Sequence, residues 1–182
     1  GEQSAPGLMA LLEQRGATAE KQMLAVTLLR EVGSLLPLQR YVDWQLHRSL
    51  EDELCDNALD SLEQMGEAAR ASMLEALPEA NPAGQEALLS VLTRLSADER
   101  VFDTLMELFD RVPQRRAILA AYLGRLGDDR ALPALQAAAA EEMLGYLDYI
   151  ELRAAIEELG GEAPEREYDN DPEYEALHGL RT

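Results

Sequence analysis

Apolar and polar positions alternate most clearly between residues 113 and 135. Apolar side chains recur there at the three- and four-residue intervals of one helix face, which predicts an α-helix that ends near Leu126. Gly127 follows, and glycine readily takes the left-handed conformation that ends many helices. Asp128 or Asp129 is suited to cap a second helix. The apolar positions of this predicted helix pair are Ile118, Leu119, Tyr122, Leu123, Leu126, Leu132 and Leu135.

The same pattern recurs along the chain about every 30 residues, which is the period of helix-pair repeats. Five marker positions define it, at successive spacings of 33, 30, 31 and 33 residues. The residues one, four and eight places before each marker are apolar in all five copies. One short helix pair cannot bury its apolar face alone, so the recurrence predicts stacked copies. The markers are Gly33, Gly66, Ser96, Gly127 and Gly160.

The sequence from Arg115 to Leu135, RRAILAAYLGRLGDDRALPAL, resembles the short HEAT-like repeats of phycobilisome lyases and many bacterial proteins. The resemblance covers residues 18–160. It departs from the family pattern at Ser96, which replaces a marker glycine, and at residues 35–37, where Leu-Leu-Pro displaces the usual turn. It implies an all-α fold, a right-handed, armadillo-like α-solenoid of about five helix pairs. Members of this family mostly bind proteins, and a few are enzymes or enzyme subunits.

The pattern divides the chain into three parts. Residues 1–17 form a flexible lead-in with a short capping helix over residues 8–13. Residues 18–160 form the repeat domain, whose last helix is expected over residues 146–159. After Gly160 and Gly161 the apolar period stops, and residues 161–182 form an acidic C-terminal tail.

Three sequence signals predict helix starts. Thr18 is a suitable N-cap for a helix over residues 19–32. Asn81, followed by proline, is a suitable N-cap for a helix over residues 82–95. Ser96 and Glu99 have the spacing of a capping box before a helix over residues 100–109.

Acidic residues dominate the charge of this 182-residue chain. It has 35 acidic and 16 basic residues, a formal net charge of −19. Nine of the acids and one base, Arg166, lie between Glu157 and Glu175. The electrostatic field of so many acidic residues repels phosphate backbones, so nucleic acid is not an expected partner.

Hydropathy and the chain start bear on localisation. No apolar run is long enough to span a bilayer, so we expect no membrane insertion and a cytoplasmic location. The first residue is Gly1 rather than methionine, which leaves an upstream signal or domain open.

Two groups of residues are candidate partner contacts. Tyr41, Trp44 and Arg48 form a second stripe on a predicted helix, and aromatic residues with arginine are typical of interface anchors. The alternative is that this stripe packs against the next repeat. The second group lies in the acidic tail and could form a docking motif that orders on the chain's own surface or on a partner. The alternative is a solvated tail partly held by its aromatic rings. This group is Tyr168, Tyr174 and Leu177.

Two sets of residues have the spacing of metal ligands, and neither predicts a site. His47, Glu51 and Cys55 would need one straight helix, but Ser49 and Asp52 predict that a new helix starts between them. The calcium-type spacing of Asp169, Asp171 and Glu173 lacks the loop glycine and is interrupted by proline. We therefore expect no metal and no cofactor.

Catalytic motifs are also not evident. The HEAT-repeat deoxyhypusine hydroxylases carry several His-Glu pairs, whereas His47 is followed by arginine and His178 by glycine. The sequence favours a non-catalytic scaffold that binds a protein or peptide, as a monomer or weak homodimer. Two alternatives remain: a subunit of a bilin or other cofactor lyase, and a fragment of a longer HEAT-repeat array.

Overall fold

The computed structural model describes residues 4–34, 38, 53–168 and 171–178. In these ranges it contains ten α-helices and no β-strand, which confirms the all-α class predicted from the sequence. The helices are α1 (Ala5–Glu13), α2 (Ala19–Glu31), α3 (Glu53–Met65), α4 (Glu67–Ala76), α5 (Pro82–Leu92), α6 (Glu99–Arg111), α7 (Arg116–Leu126), α8 (Leu132–Ala139), α9 (Tyr146–Glu158) and α10 (Pro172–His178).

The chain divides into two compact units, Gly1–Val101 and Phe102–Thr182. In the first unit α1 packs on α2, α2 on α3, and α3 on both α4 and α5. In the second unit α9 packs on α7, α8 and α10. Helices α2, α3, α5, α7 and α9 each precede one of the five markers. Within each unit, therefore, the equivalent helices of successive repeats pack on one another.

All five markers lie between helices, as the repeat pattern predicts. The four glycine markers have positive φ angles, from 53° at Gly66 to 77° at Gly160. The positions four and eight residues before each marker are buried in every copy, so the predicted stripe faces the core. These buried residues are Ala25, Leu29, Ala58, Leu62, Leu88, Leu92, Leu119, Leu123, Leu152 and Ile156.

Two of the three predicted helix caps are confirmed. Thr18 Oγ1 accepts a hydrogen bond from the Lys21 N–H at 3.4 Å, and α2 begins at the next residue. Asn81 Oδ1 accepts one from the Gly84 N–H at 2.7 Å, with proline at the first helical position of α5. That helix ends earlier than predicted, at residue 92.

The predicted capping box at Ser96 is wrong. The Ser96 N–H and hydroxyl both donate to Glu67 Oε1 at 2.7 Å. The serine therefore binds a carboxylate of α4 and does not cap the helix that follows it. Asp98 acts at this helix start instead, since its Oδ1 accepts the Arg100 N–H at 3.0 Å.

Arg70 fixes the same loop to α4. Its guanidinium donates to the carbonyl oxygens of Ser96 and Ala97 and to Asp98 Oδ2, each at 3.0 Å. Backbone carbonyls between two helices need hydrogen-bond donors, and here one arginine side chain donates to two such carbonyls. The loop between α5 and α6 is therefore held by a side chain from an earlier repeat.

Acid should weaken this loop. The Arg100 side-chain hydrogen bond, with smaller contributions from its backbone N–H and Arg70, holds the pKa of Asp98 below its ordinary value of 3.8. The carboxylate therefore stabilises the folded state at neutral pH, and this contribution is lost as pH falls through the folded-state pKa. We expect Asp98→Asn to lower the unfolding free energy at pH 7 and to approach the wild type as pH falls below 3.8, the ordinary pKa of the carboxyl group. Urea denaturation across this range checks it, with the exposed Asp103→Asn as the control that should change little at any pH.

Gly160 ends α9 in a left-handed turn. The Gly160 N–H donates to the carbonyl oxygen of Glu157 at 3.0 Å, and the Gly161 N–H donates to that of Ile156 at 2.9 Å. These two bonds are those of a Schellman motif, which satisfies the last carbonyls of a helix. The sequence prediction that a glycine marks this helix end is confirmed.

Gly160→Ala should lower the unfolding free energy by about 1–2 kcal/mol, because an L side chain is strained at positive φ. A Cβ at this position would meet nothing within 4 Å, so the loss of stability would arise from the backbone conformation alone. Gly7→Ala in α1 is the matched control, since it also has open space but no positive φ. It should leave stability unchanged or raise it by up to about 1 kcal/mol. Equal effects of the two substitutions in chemical denaturation would contradict this account of the marker.

Candidate functional site

The described residues after Gly161 fold back onto the helices of the second unit. This C-terminal segment comprises residues 162–178, and its residues 169–170 are outside the described ranges. Arg166 donates to the carbonyl oxygens of Ala139 and Glu142, each at 3.0 Å, and to that of Glu141. These carbonyls lie at and just beyond the C-terminal end of α8, where the helix dipole favours a cation. One guanidinium thus joins the segment to α8.

Aromatic rings join the same segment to α9. The Tyr146 ring lies edge-on to Tyr168 and Tyr174, with centroids 5.1 and 4.9 Å apart. Tyr149 lies 5.4 Å from Tyr168, and His178 stacks on Tyr174 at 4.2 Å. Edge-to-face contacts bring the positive edge of one ring to the negative face of another. We call these five residues the aromatic cluster.

Two hydrogen bonds near the start of α9 complete the docking. The Tyr149 hydroxyl donates to the Pro164 carbonyl oxygen at 2.8 Å. The Leu147 N–H, in the first turn of α9, donates to Glu173 Oε2 at 3.2 Å. A carboxylate is favoured at a helix N-terminus, where N–H groups lack partners within the helix.

A groove of about 790 Å³ lies between α9 and the C-terminal segment. Two arginines lie on its walls, and each is already engaged: Arg153 pairs with Glu157 at 2.7 Å, and Arg166 holds the carbonyls described above. We call this space the tyrosine groove. Its lining residues are Tyr146, Tyr149, Arg153, Glu165, Arg166, Glu167, Tyr168 and Tyr174.

The Tyr168 hydroxyl is the unsatisfied group of the tyrosine groove. Its oxygen is buried and has no hydrogen-bond partner among the described residues. Burial raises the pKa of Tyr168 because it disfavours the phenolate, and the nearby Arg166 opposes this shift only in part. The hydroxyl therefore stays protonated at neutral pH.

The structure separates the residues predicted as partner contacts. Tyr168 and Tyr174 lie in the aromatic cluster and pack on the chain's own surface. Leu177 lies on α10 and is 61% exposed. The remaining predicted contacts, Tyr41, Trp44 and Arg48, lie outside the described residues, as do His47, Glu51 and Asp169 of the rejected metal sets.

Several residues of this site were not predicted from the sequence, and Tyr146, Tyr149 and Arg166 are the ones that make the contacts described above. Tyr146 and Tyr149, with Arg153, have the i, i+3, i+7 spacing of one helix face. The stripe at residues 41–48 has the same spacing and the same types of residue, so this pattern could have predicted a second set of candidate contacts on α9. Arg166 is the one base among the acids between residues 157 and 175, which was a further signal.

No family model, no curated protein and no solved structure matches the chain. The HEAT-like resemblance therefore stays a prediction. Among the described residues, no three His, Cys, Asp or Glu side chains converge as a metal site would require. In the same part of the chain, no helix has the length and hydropathy to cross a bilayer.

Arg166 is expected to be the main attachment of the C-terminal segment, because charged hydrogen bonds contribute about 1.5–3 kcal/mol each. Arg166→Gln should therefore raise amide hydrogen-exchange rates across the segment about tenfold or more. Arg153→Gln is the control, since Arg153 is exposed and pairs with a carboxylate of its own helix. The assignment is wrong if exchange in the segment responds equally to the two substitutions, as measured by mass spectrometry.

Proposed function

We propose that this protein is a non-catalytic scaffold that binds a segment of a protein or peptide partner in the tyrosine groove. It acts as a monomer or weak homodimer, on a right-handed α-solenoid of HEAT-like helix pairs. Support for the solenoid comes from the markers, which all lie between helices, and from equivalent helices that pack in succession within each unit. Such stacking produces extended surfaces that repeat proteins use for binding.

The composition of the tyrosine groove is the observation that carries the proposal. Four tyrosines and two arginines line it, and these residue types are enriched in the anchors of protein interfaces. A tyrosine ring gives a large contact area at little cost in side-chain entropy. A volume of about 790 Å³ is within the range of ligand-binding clefts and can hold a few side chains of a peptide.

Charge supports a basic partner. The chain carries a formal net charge of −19, and Glu165 and Glu167 lie on the groove walls. Complementary charge speeds association and fixes orientation more than it raises affinity. A segment that carries lysine or arginine around its anchor residues would therefore be favoured over an acidic one.

Selection from a random peptide display library, with the full chain as bait, tests the proposal. We expect the selected peptides to bind Tyr146→Ala at least tenfold more weakly than wild type, because truncation of an interface anchor costs about 1.4 kcal/mol or more. Leu24→Ala is the control, since Leu24 is 57% exposed on α2 in the other unit. It should leave the Kd unchanged.

Two results would contradict the proposal. One is a library that yields no binding peptide, and the other is a set of peptides whose Kd is the same for wild type and Tyr146→Ala. Helical circular dichroism of the variant separates loss of the groove from loss of the fold.

A further inference from the structure

Two tyrosines on the walls of the tyrosine groove meet at a right angle. The ring planes of Tyr146 and Tyr174 are 90° apart, and their centroids are 4.9 Å apart. His178 stacks on Tyr174 at 4.2 Å and lies 5.8 Å from Tyr146. These three separations place Tyr146 beside the stack rather than above it, so the edge of Tyr174 points at the face of Tyr146.

One face of Tyr174 carries no ring. Within the described part of the chain, the rings in contact with Tyr174 are those of Tyr146 and His178, and His178 covers one face. The opposite face of Tyr174 and the adjoining face of Tyr146 form two walls at a right angle. Both residues line the tyrosine groove, so this space opens into it. We call it the tyrosine corner.

The chemistry of the tyrosine corner suits a compact cation. The face of an aromatic ring is negative, and a cation within about 6 Å of the ring centroid is attracted to it. The same cluster already shows this contact, since the Arg166 guanidinium lies over the Tyr168 ring at 5.5 Å. A planar guanidinium stacks on one face, whereas a compact ammonium can approach two perpendicular faces at once. The corner therefore favours an ammonium group.

The charges around the groove also favour a cation. Glu165 and Glu167 line the groove, and neither side chain has a hydrogen bond or an ion pair among the described residues. Arg153 pairs with Glu157, and Arg166 donates to carbonyl oxygens at a helix end. The lining residues and Glu157 together hold three glutamates and two arginines, a formal charge of −1. A cation that enters the groove thus meets two carboxylates without a counter-ion.

We propose that the tyrosine corner receives the ammonium group of a lysine side chain of the bound partner. This inference rests on the proposed function and names the residue by which the groove anchors the partner. Residues 162–178 stay docked in the complex, because Tyr174 forms one wall of the corner. The two glutamates on the groove walls supply the opposite charge.

Changes in the partner peptide test the inference on the intact full chain. Each lysine of the peptides selected from the display library is replaced in turn by norleucine, which keeps the four side-chain carbons and removes the ammonium group. We expect one such replacement to raise the Kd at least tenfold, as measured by fluorescence anisotropy. Trimethyl-lysine at the same position should keep the Kd within about threefold, because a cation–π contact needs the charge and not the N–H donors.

A double-mutant cycle places this lysine in the tyrosine corner. Tyr174→Leu should weaken the lysine peptide about tenfold more than the norleucine peptide, because only the lysine peptide uses the ring face. Tyr174→Phe keeps the ring and should leave both Kd values unchanged. If Tyr174→Leu only loosened the C-terminal segment, both peptides would lose affinity equally, and that result would overturn the inference. Loss of binding on trimethylation would also overturn it, since the lysine would then be held through its N–H donors.

The composition of the selected peptides separates this failure from failure of the proposed function. Peptides that depend on Tyr146 but contain no lysine, or that tolerate norleucine at every lysine, would keep the proposed function and remove the lysine anchor. A library that yields no binding peptide would remove both.

Discussion

Burial of two positions in each repeat is the constraint on which the rest of the structure depends. The side chains four and eight residues before every marker are buried, although the five copies differ in most other positions. These two positions lie about one helical turn apart on one face, so each helix presents a continuous apolar strip. Full burial of one leucine side chain stabilises the folded state by about 1.5–3 kcal/mol. The chain must turn soon after this strip so that a second helix can pack beside the first. The glycines at positive φ provide that turn.

Small residues set how closely the equivalent helices of the second unit approach. A Cβ on Gly124 of α7 would lie 3.1 Å from the Cα of Ala155 on α9. A contact this short is with backbone, which cannot move aside as a flexible side chain can. The pair of small residues therefore allows close packing, and the tyrosines that precede Ala155 on α9 are held on a rigid support. This contact helps to fix the position of α9, the helix that carries Tyr146 and Tyr149 of the aromatic cluster.

The sequence predicted what depends on neighbours in the chain and missed what depends on distant ones. The period, the caps at Thr18 and Asn81 and the turn at Gly160 arise from local dihedral preferences and hydrogen bonds, and the structure has them. The capping box at Ser96 was wrong because its competitor, Glu67, lies 29 residues earlier. No local pattern contains that separation, and a loop carbonyl or hydroxyl goes to whichever partner the tertiary fold brings near.

The C-terminal segment is acidic, and its docking depends on the helix ends that lie nearest to its charged side chains. Arg166 lies at the end of α8, where the helix dipole is negative, and Glu173 accepts an N–H at the start of α9, where it is positive. Each charge therefore matches its nearest dipole, and these short-range terms decide where the segment lies. The net charge of the chain acts over a longer range and is screened by salt, so it does not decide where the segment lies. Local contacts between charges and helix ends, rather than the net charge of −19, therefore set the position of the docked segment.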